Sequence, residues 1–294
     1  MPRSATTVLG VDFTSAPRPR KPIVVASGTL AGRRVRIERL EVFDGWSGFE
    51  DLLLRPGPWI GGFDFPFGLP RETVLALGWP RRWDRLVRQC ASFDRRGFRE
   101  VLDASRSSRP VGDRFPHRAT DRPASSHSPL KFVNPPVGWM FLEGAPRLLR
   151  AGVSVPGLHR GDPDRIAVEA YPGWTARTIT RSSYKSDDAR KSDSARAQAR
   201  EQIVRALVAG HGPDGLRLDA SATLLRELVG DRSGDRLDAT IAALQAAWCL
   251  VRRDRGFGLP RDVDPSEGWI ACVPPPGSDA VSPSAGASGR PCPP

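Results

Sequence analysis

Five acids stand where chemistry explains them better than solubility does. Asp12 ends the apolar run TTVLGVD, and the small polar residues Thr14 and Ser15 follow it closely before a proline. Asp64 sits between Phe63 and Phe65 in GGFDFPFG, a setting in which an uncompensated carboxylate is costly. Glu169 lies in RIAVEAYP, and Asp235 and Asp238 open the helical pattern GDRLDATIAALQAAW. Three residues apart on a helix, those two share one face. Several hard oxygen ligands without a His or Cys partner suit Mg2+ or Mn2+. Such a set serves two-metal phosphodiester hydrolysis, in which one ion activates a water and the other stabilises the departing oxygen. Asp12, Asp64 and Asp238 are the expected metal ligands, and Glu169 and Asp235 complete the expected catalytic set.

Each acid also has a purely structural reading. Asp12 with Thr14 and Ser15 can make a turn. Asp235 can cap its helix with Asp238 as capping-box partner, and Glu169 can pair with an arginine. Lys131 in SPLKFVNPP and Lys185 in SSYKSDD stand out because only four of the 44 basic residues are lysines. Either is a candidate contact for a scissile phosphate, or a solvated surface charge. His117 and His127, in a basic polar stretch, are candidates for backbone contacts or acid-base work, or are simply exposed.

The elements that must position these residues follow from periodicity. Residues 6–12, PIVVASGTL and RVRIERLEVF read as three strands of a meander, with AGRR as the second turn. SGFEDLLL reads as a short helix with Ser47 as N-cap, and PGPWIGGFDFPFGLP holds a fourth buried strand ending at Asp64. A crossover through that helix would allow the first and fourth strands to be parallel neighbours, and in that arrangement Asp12 and Asp64 lie about 5 Å apart at their carboxyl ends. RIAVEAYP is a fifth strand and EGWIACV a last short one. Helices are expected over SDDARKSDSARAQAREQIVRALVAG, ATLLRELVG and SGDRLDATIAALQAAWCLVRR.

From about residue 79 to 165 the chain turns rich in Arg, Pro and Ser: a basic helical piece, a long polar loop over 105–129, and a short helix and turn at PRLLRAGVSVPGL. A loop that long signals a functional or partly disordered insertion. Its arginines between Arg81 and Arg122, interleaved with Trp79, Trp83 and Phe93, read equally as a single-strand-binding surface or as an amphipathic helix with a disordered loop. Residues 274–294 lack the apolar content to fold and read as a disordered tail.

Composition narrows the classes. With 294 residues the chain can bury a sizeable core. No run of about 18 apolar residues and no apolar leader is present, so a soluble, cytoplasmic protein without a membrane partner is expected. Cys90, Cys249, Cys272 and Cys292 form no CxxC pair, which argues against a thiolate zinc site or a disulfide framework. The formal charge of +11 fits a nucleic-acid partner, although an arginine-rich composition can equally reflect genomic base bias.

VLGVDFTSAP, GGFDFPFGLPR, VEAYPGW, YKSDDARK and DRLDATIAALQAAW follow in an order and character that resemble the domain of unknown function 429 family, described as predicted ribonuclease H-like nucleases. The resemblance spans roughly residues 6 to 273 with an expanded middle. It implies one α/β domain over 1–273 with a ribonuclease H-like mixed sheet, a three-strand meander plus parallel strands flanked by helices, and a long basic insertion. It also implies an acidic centre of Asp12, Asp64, Glu169, Asp235 and Asp238. The expected activity is metal-dependent hydrolysis of DNA or RNA. The alternatives are an ATP-dependent phosphotransferase of the actin and sugar-kinase type, with DFTSAP as phosphate loop, and a non-catalytic nucleic-acid-binding module.

Overall fold

The computed structural model describes residues 6–186 and 194–275. Apolar residues, many of them β-branched, make the first strands: β1 and β2 are almost continuously buried, and the start of β3 alternates. β1 (Thr7–Asp12), β2 (Ile23–Ala31) and β3 (Arg34–Phe43) form an antiparallel meander. The β2–β3 turn passes through Gly32 at φ 59°, a left-handed conformation that glycine adopts without steric cost. α1 (Trp46–Leu54) crosses over to β4 (Trp59–Phe63), which pairs parallel to β1 with Phe63 opposite Val11. The helix starts two residues earlier than an N-cap at Ser47 implies: Gly45 occupies the N-cap without a side-chain bond, so Ser47 is no cap.

Next come α2 (Arg71–Ala76), α3 (Trp83–Ala91), α4 (Arg95–Ser107), α5 (Asp121–Ala124) and α6 (Val137–Ala151). They are followed by β5 (Val153–Ser154), β6 (Asp162–Glu169) and α7 (Pro172–Ile179). α8 (Ser194–Ala209), β7 (Arg217–Asp219), α9 (Ala222–Gly230) and α10 (Asp235–Val251) complete the order. The result is an α/β protein whose seven-stranded mixed sheet runs β5-β6-β4-β1-β2-β3-β7. Of these, β5 and β7 carry no strand signal in the sequence, being two and three residues long. EGWIACV does not form a strand: only Ile270 bridges to Glu169 at the end of β6. The start of the expected helix before Ser194 and the tail from 276 onward lie outside the described residues. No described helix is long and apolar enough to cross a membrane.

Both faces of the sheet are covered. Leu9, Val11, Val25 and Phe63 point into a core built with α1, α3, α4 and α6, while Val8, Val24, Ile60 and Val168 point into another built with α8, α9 and α10. The segment read as a basic insertion therefore supplies one of the two covering layers. Trp83, Phe98 and Phe141 are fully buried there, and burying each such side chain stabilises the fold by about 1.5–3 kcal/mol. Trp79 and Phe93 pack on each other at 5.7 Å against the same core. These aromatics are core residues, not a stacking platform for single strands. The stretch over 105–129 is largely irregular, yet it buries Arg118, Thr120, Asp121 and Ser128 and is anchored rather than free.

α10 lies directly on the sheet because two strand residues have no side chain there. A Cβ at Gly10 would stand 2.0 Å from the Ala239 carbonyl oxygen, and one at Gly62 would stand 2.3 Å from that of Ala242. Ala239, Ala242 and Ala243 complete this small-residue contact. Gly10→Ala is expected to cost about 1–3 kcal/mol in urea unfolding through overpacking. Gly230→Ala, where the added Cβ meets nothing within 4 Å, is the control and should stay within about 0.5 kcal/mol. Equal stability of the two variants would refute the close approach.

Candidate metal centre

The carboxyl ends of β1 and β4 bring the first two acids together. Asp12 is the last residue of β1, and the amide of Asp64 donates to the Val11 carbonyl at 2.9 Å, continuing the β1–β4 ladder one residue beyond β4. The third comes from the first turn of α10, where Asp238 is buried and where the helix dipole favours a negative charge. Asp12, Asp64 and Asp238 each present one carboxylate oxygen, all within 4.8 Å of one another. These are the three residues expected as ligands. Hard oxygen donors without nitrogen or sulfur fit Mg2+ or Mn2+.

Asp235 is freed from capping duty by its neighbours. The carboxylate of Asp231 accepts from the Arg236 amide at 2.9 Å, and the Ser233 hydroxyl oxygen accepts from the Asp235 amide at 3.2 Å. The capping-box reading of Asp235 and Asp238 is thereby replaced. Asp235 lines the same pocket but does not join the close trio. Glu169 lies opposite Phe63 at the end of β6, and a different contact claims it. The buried Arg118 guanidinium donates to its two oxygens at 2.7 and 2.8 Å, and the Phe67 amide adds a third bond at 2.9 Å. Arg118 also donates to Asp121 at 2.9 Å. Although burial works against its charge, Asp121 and Glu169 raise its pKa above the ordinary value. The arginine partnership read for Glu169 is present, while Glu169 also lines the cavity.

Burial first, and then their own proximity, disfavours the charged forms of Asp12, Asp64 and Asp235. Burial pushes the Asp12 carboxyl well above the usual range; Lys185 pulls it down, while Asp235, Asp238 and Asp64 push it further up. Burial and the Asp238 charge push Asp64 up to about 7 against the pull of Lys185. Burial raises Asp235 as well. Lys185 is the cation among them: its Nζ contacts Asp238 Oδ2. Burial disfavours the ammonium, but Asp238, Asp12 and Asp64 outweigh it and hold its pKa well above the ordinary value.

A cavity of about 260 Å³ opens over the acids. Thr14, Ser15, Lys21, Tyr171 and Lys185 line it, together with Ser126, His127, Pro136, Val137 and Met140 from the segment between α4 and β5. Lys131, expected at the substrate, does not line it. It is partly buried, and together with burial its charge lowers the pKa of His127. His117 is partly buried and also outside the lining.

Three contributors were not anticipated. Tyr184 donates its hydroxyl to Asp238 Oδ1 at 2.7 Å. Its signal was rarity: the chain has two tyrosines, and the other, Tyr171, lines the cavity. Lys21, also one of the four lysines, was equally conspicuous by type. Arg118, one arginine among many, carried no signal. No protein-family model, curated protein or solved structure matches the chain, so the family resemblance rests on the quoted motifs alone.

These shifts set a stability profile for the metal-free protein. Asp64 titrates near 7 when folded and near about 3.9 when unfolded. Between those values the native state keeps a proton that the unfolded state has lost, so stability falls as pH rises through that window. In EDTA the melting temperature should drop from about pH 5 to about pH 8, and drop less in Asp64→Asn. Each kcal/mol relieved is worth roughly 2–4 °C. A melting temperature that climbs across this range in the wild type, unchanged in Asp64→Asn, would show that burial does not raise the Asp64 carboxyl.

Proposed function

We propose that the chain is a metal-dependent phosphodiester hydrolase acting on nucleic acid, in keeping with its resemblance to the ribonuclease H-like domain of unknown function 429 family. The observation that carries this reading is the convergence of Asp12, Asp64 and Asp238 oxygens within 4.8 Å at the carboxyl edge of a mixed sheet. These three would hold Mg2+ or Mn2+, with Asp235 beside them for a second ion. Ions so bound lower the pKa of a water and neutralise charge on the leaving oxygen.

The chain's own groups do the rest. Lys21 at the exposed rim offers an ammonium to a phosphate, and the Thr14 and Ser15 hydroxyls lie beside Asp12 in the cavity lining. The wall of Pro136, Val137 and Met140 excludes water from one side. The Arg118–Glu169 pair ties the segment carrying Ser126 and His127 to the strand ends. The net charge of +11 supports a polyanionic substrate, and a cytoplasmic setting goes with this proposal.

The test is cleavage of labelled single- and double-stranded DNA and RNA with Mn2+, Mg2+ or EDTA. Cutting should require metal and vanish in Asp12→Asn and Asp64→Asn. Asp235→Asn, which removes the carboxylate beside the trio that would hold the second ion, should lower the cleavage rate by at least about 10–100-fold, the loss usual even for groups one shell further out. A wild type that binds the panel with steep salt dependence but cuts none of it would replace this reading with the binding module.

A further inference from the structure

Asp238 has both oxygens occupied. Oδ1 accepts from the Tyr184 hydroxyl at 2.7 Å, and Oδ2 meets the Lys185 ammonium. Yet Asp238 is also one of the three acids whose oxygens converge within 4.8 Å. A divalent ion there and an ammonium on the same carboxylate would be like charges a few Å apart in a partly dehydrated site, where their repulsion is far stronger than in water. Resting on the metal-centre reading above, we propose that Lys185 is the counter-cation of the acidic cluster in the metal-free protein, displaced from Asp238 by an incoming divalent ion and turned toward the cavity that receives the substrate phosphate.

Four features of the site support an exchangeable contact. The Lys185 side chain is 40 % exposed whereas that of Asp238 is 2 % exposed, so the ammonium can swing outward while the carboxylate stays fixed. Tyr184 keeps hold of Oδ1 and preserves the orientation of Asp238. Gly234, at φ 78°, leaves room for the lysine stem: a Cβ there would stand 3.0 Å from Lys185 Cγ and 3.4 Å from the Tyr184 ring. The residue type fits as well. An ammonium on a four-carbon stem is a compact, mobile point charge, whereas a guanidinium locks a carboxylate through two parallel bonds. Arg118 makes that locked contact with Glu169 in the same cavity. The structure thus holds one permanent ion pair and one replaceable ion pair side by side.

Because lysines are so few, amine acetylation under single-hit conditions reads the exchange directly. The full chain is labelled in EDTA and in saturating Mn2+, sites are quantified by mass spectrometry, and Lys131, which does not line the cavity, is the internal reference. Mn2+ affinity is measured by calorimetry on the wild type and on Lys185→Met. The expected result is a several-fold rise in Lys185 acetylation with Mn2+, no change at Lys131, and Mn2+ binding several-fold tighter in Lys185→Met. If Mn2+ binds but Lys185 is equally reactive with and without it, the exchange is overturned while the metal centre stands. Absence of Mn2+ binding in both proteins overturns the exchange together with the metal centre.

Discussion

The contact on which this molecule depends is the one between α10 and the two glycines beneath it. Gly10 and Gly62 lie on neighbouring parallel strands, and Ala239, Ala242 and Ala243 meet them from the helix. With no side chains between them, helix backbone and strand backbone come into van der Waals contact. That closeness carries the first turn of α10 to the strand ends and brings a carboxylate oxygen of Asp238 within 4.8 Å of those of Asp12 and Asp64. A single larger residue in the interface would lift the helix and dissolve the cluster, because close-packed interiors transmit such displacements instead of absorbing them.

Around this contact the chain sorts its buried charges into two kinds. Arg118, Asp121 and Glu169 satisfy one another through charge-assisted bonds at 2.7–2.9 Å; removing any one would leave an uncompensated charge in the interior. Asp12, Asp64, Asp235 and Asp238 share the single positive charge of Lys185 with only partial help from Lys21. Burial disfavours the ionised forms of Asp12, Asp64 and Asp235, which is how a site differs from a strut. Arg118 and Glu169 line the same cavity as Asp12, Asp64 and Asp235, so the strut fixes the wall against which the site works.

Much of this was legible because it depends on neighbours along the chain. Apolar runs bounded by turn residues marked β1 to β4, and the short crossover through α1 allowed β1 and β4 to pair in parallel, which put Asp12 beside Asp64. The three-residue spacing of Asp235 and Asp238 marked a shared face of α10. Other features depend on what folds back from far away. Trp79, Trp83 and Phe93 sit among arginines and look like a binding surface until α3 and α4 are laid against the sheet, where the aromatic rings turn inward and the arginines outward. Glu169 had two readings of similar weight until Arg118, 51 residues earlier, was seen to hold it.

By itself, then, the sequence determined the strands, the parallel pair with acids at its carboxyl ends, and the helix that bears Asp238, since periodicity, loop length and helical spacing are local properties. Only the tertiary structure decided that Asp235 stands outside the trio, that Lys131 stands back from the cavity, and that Tyr184 and Lys185 occupy both oxygens of Asp238. Those outcomes turn on distances of a few Å between segments remote in sequence, set by which side chains the packed core leaves room for, and no spacing along the chain encodes them.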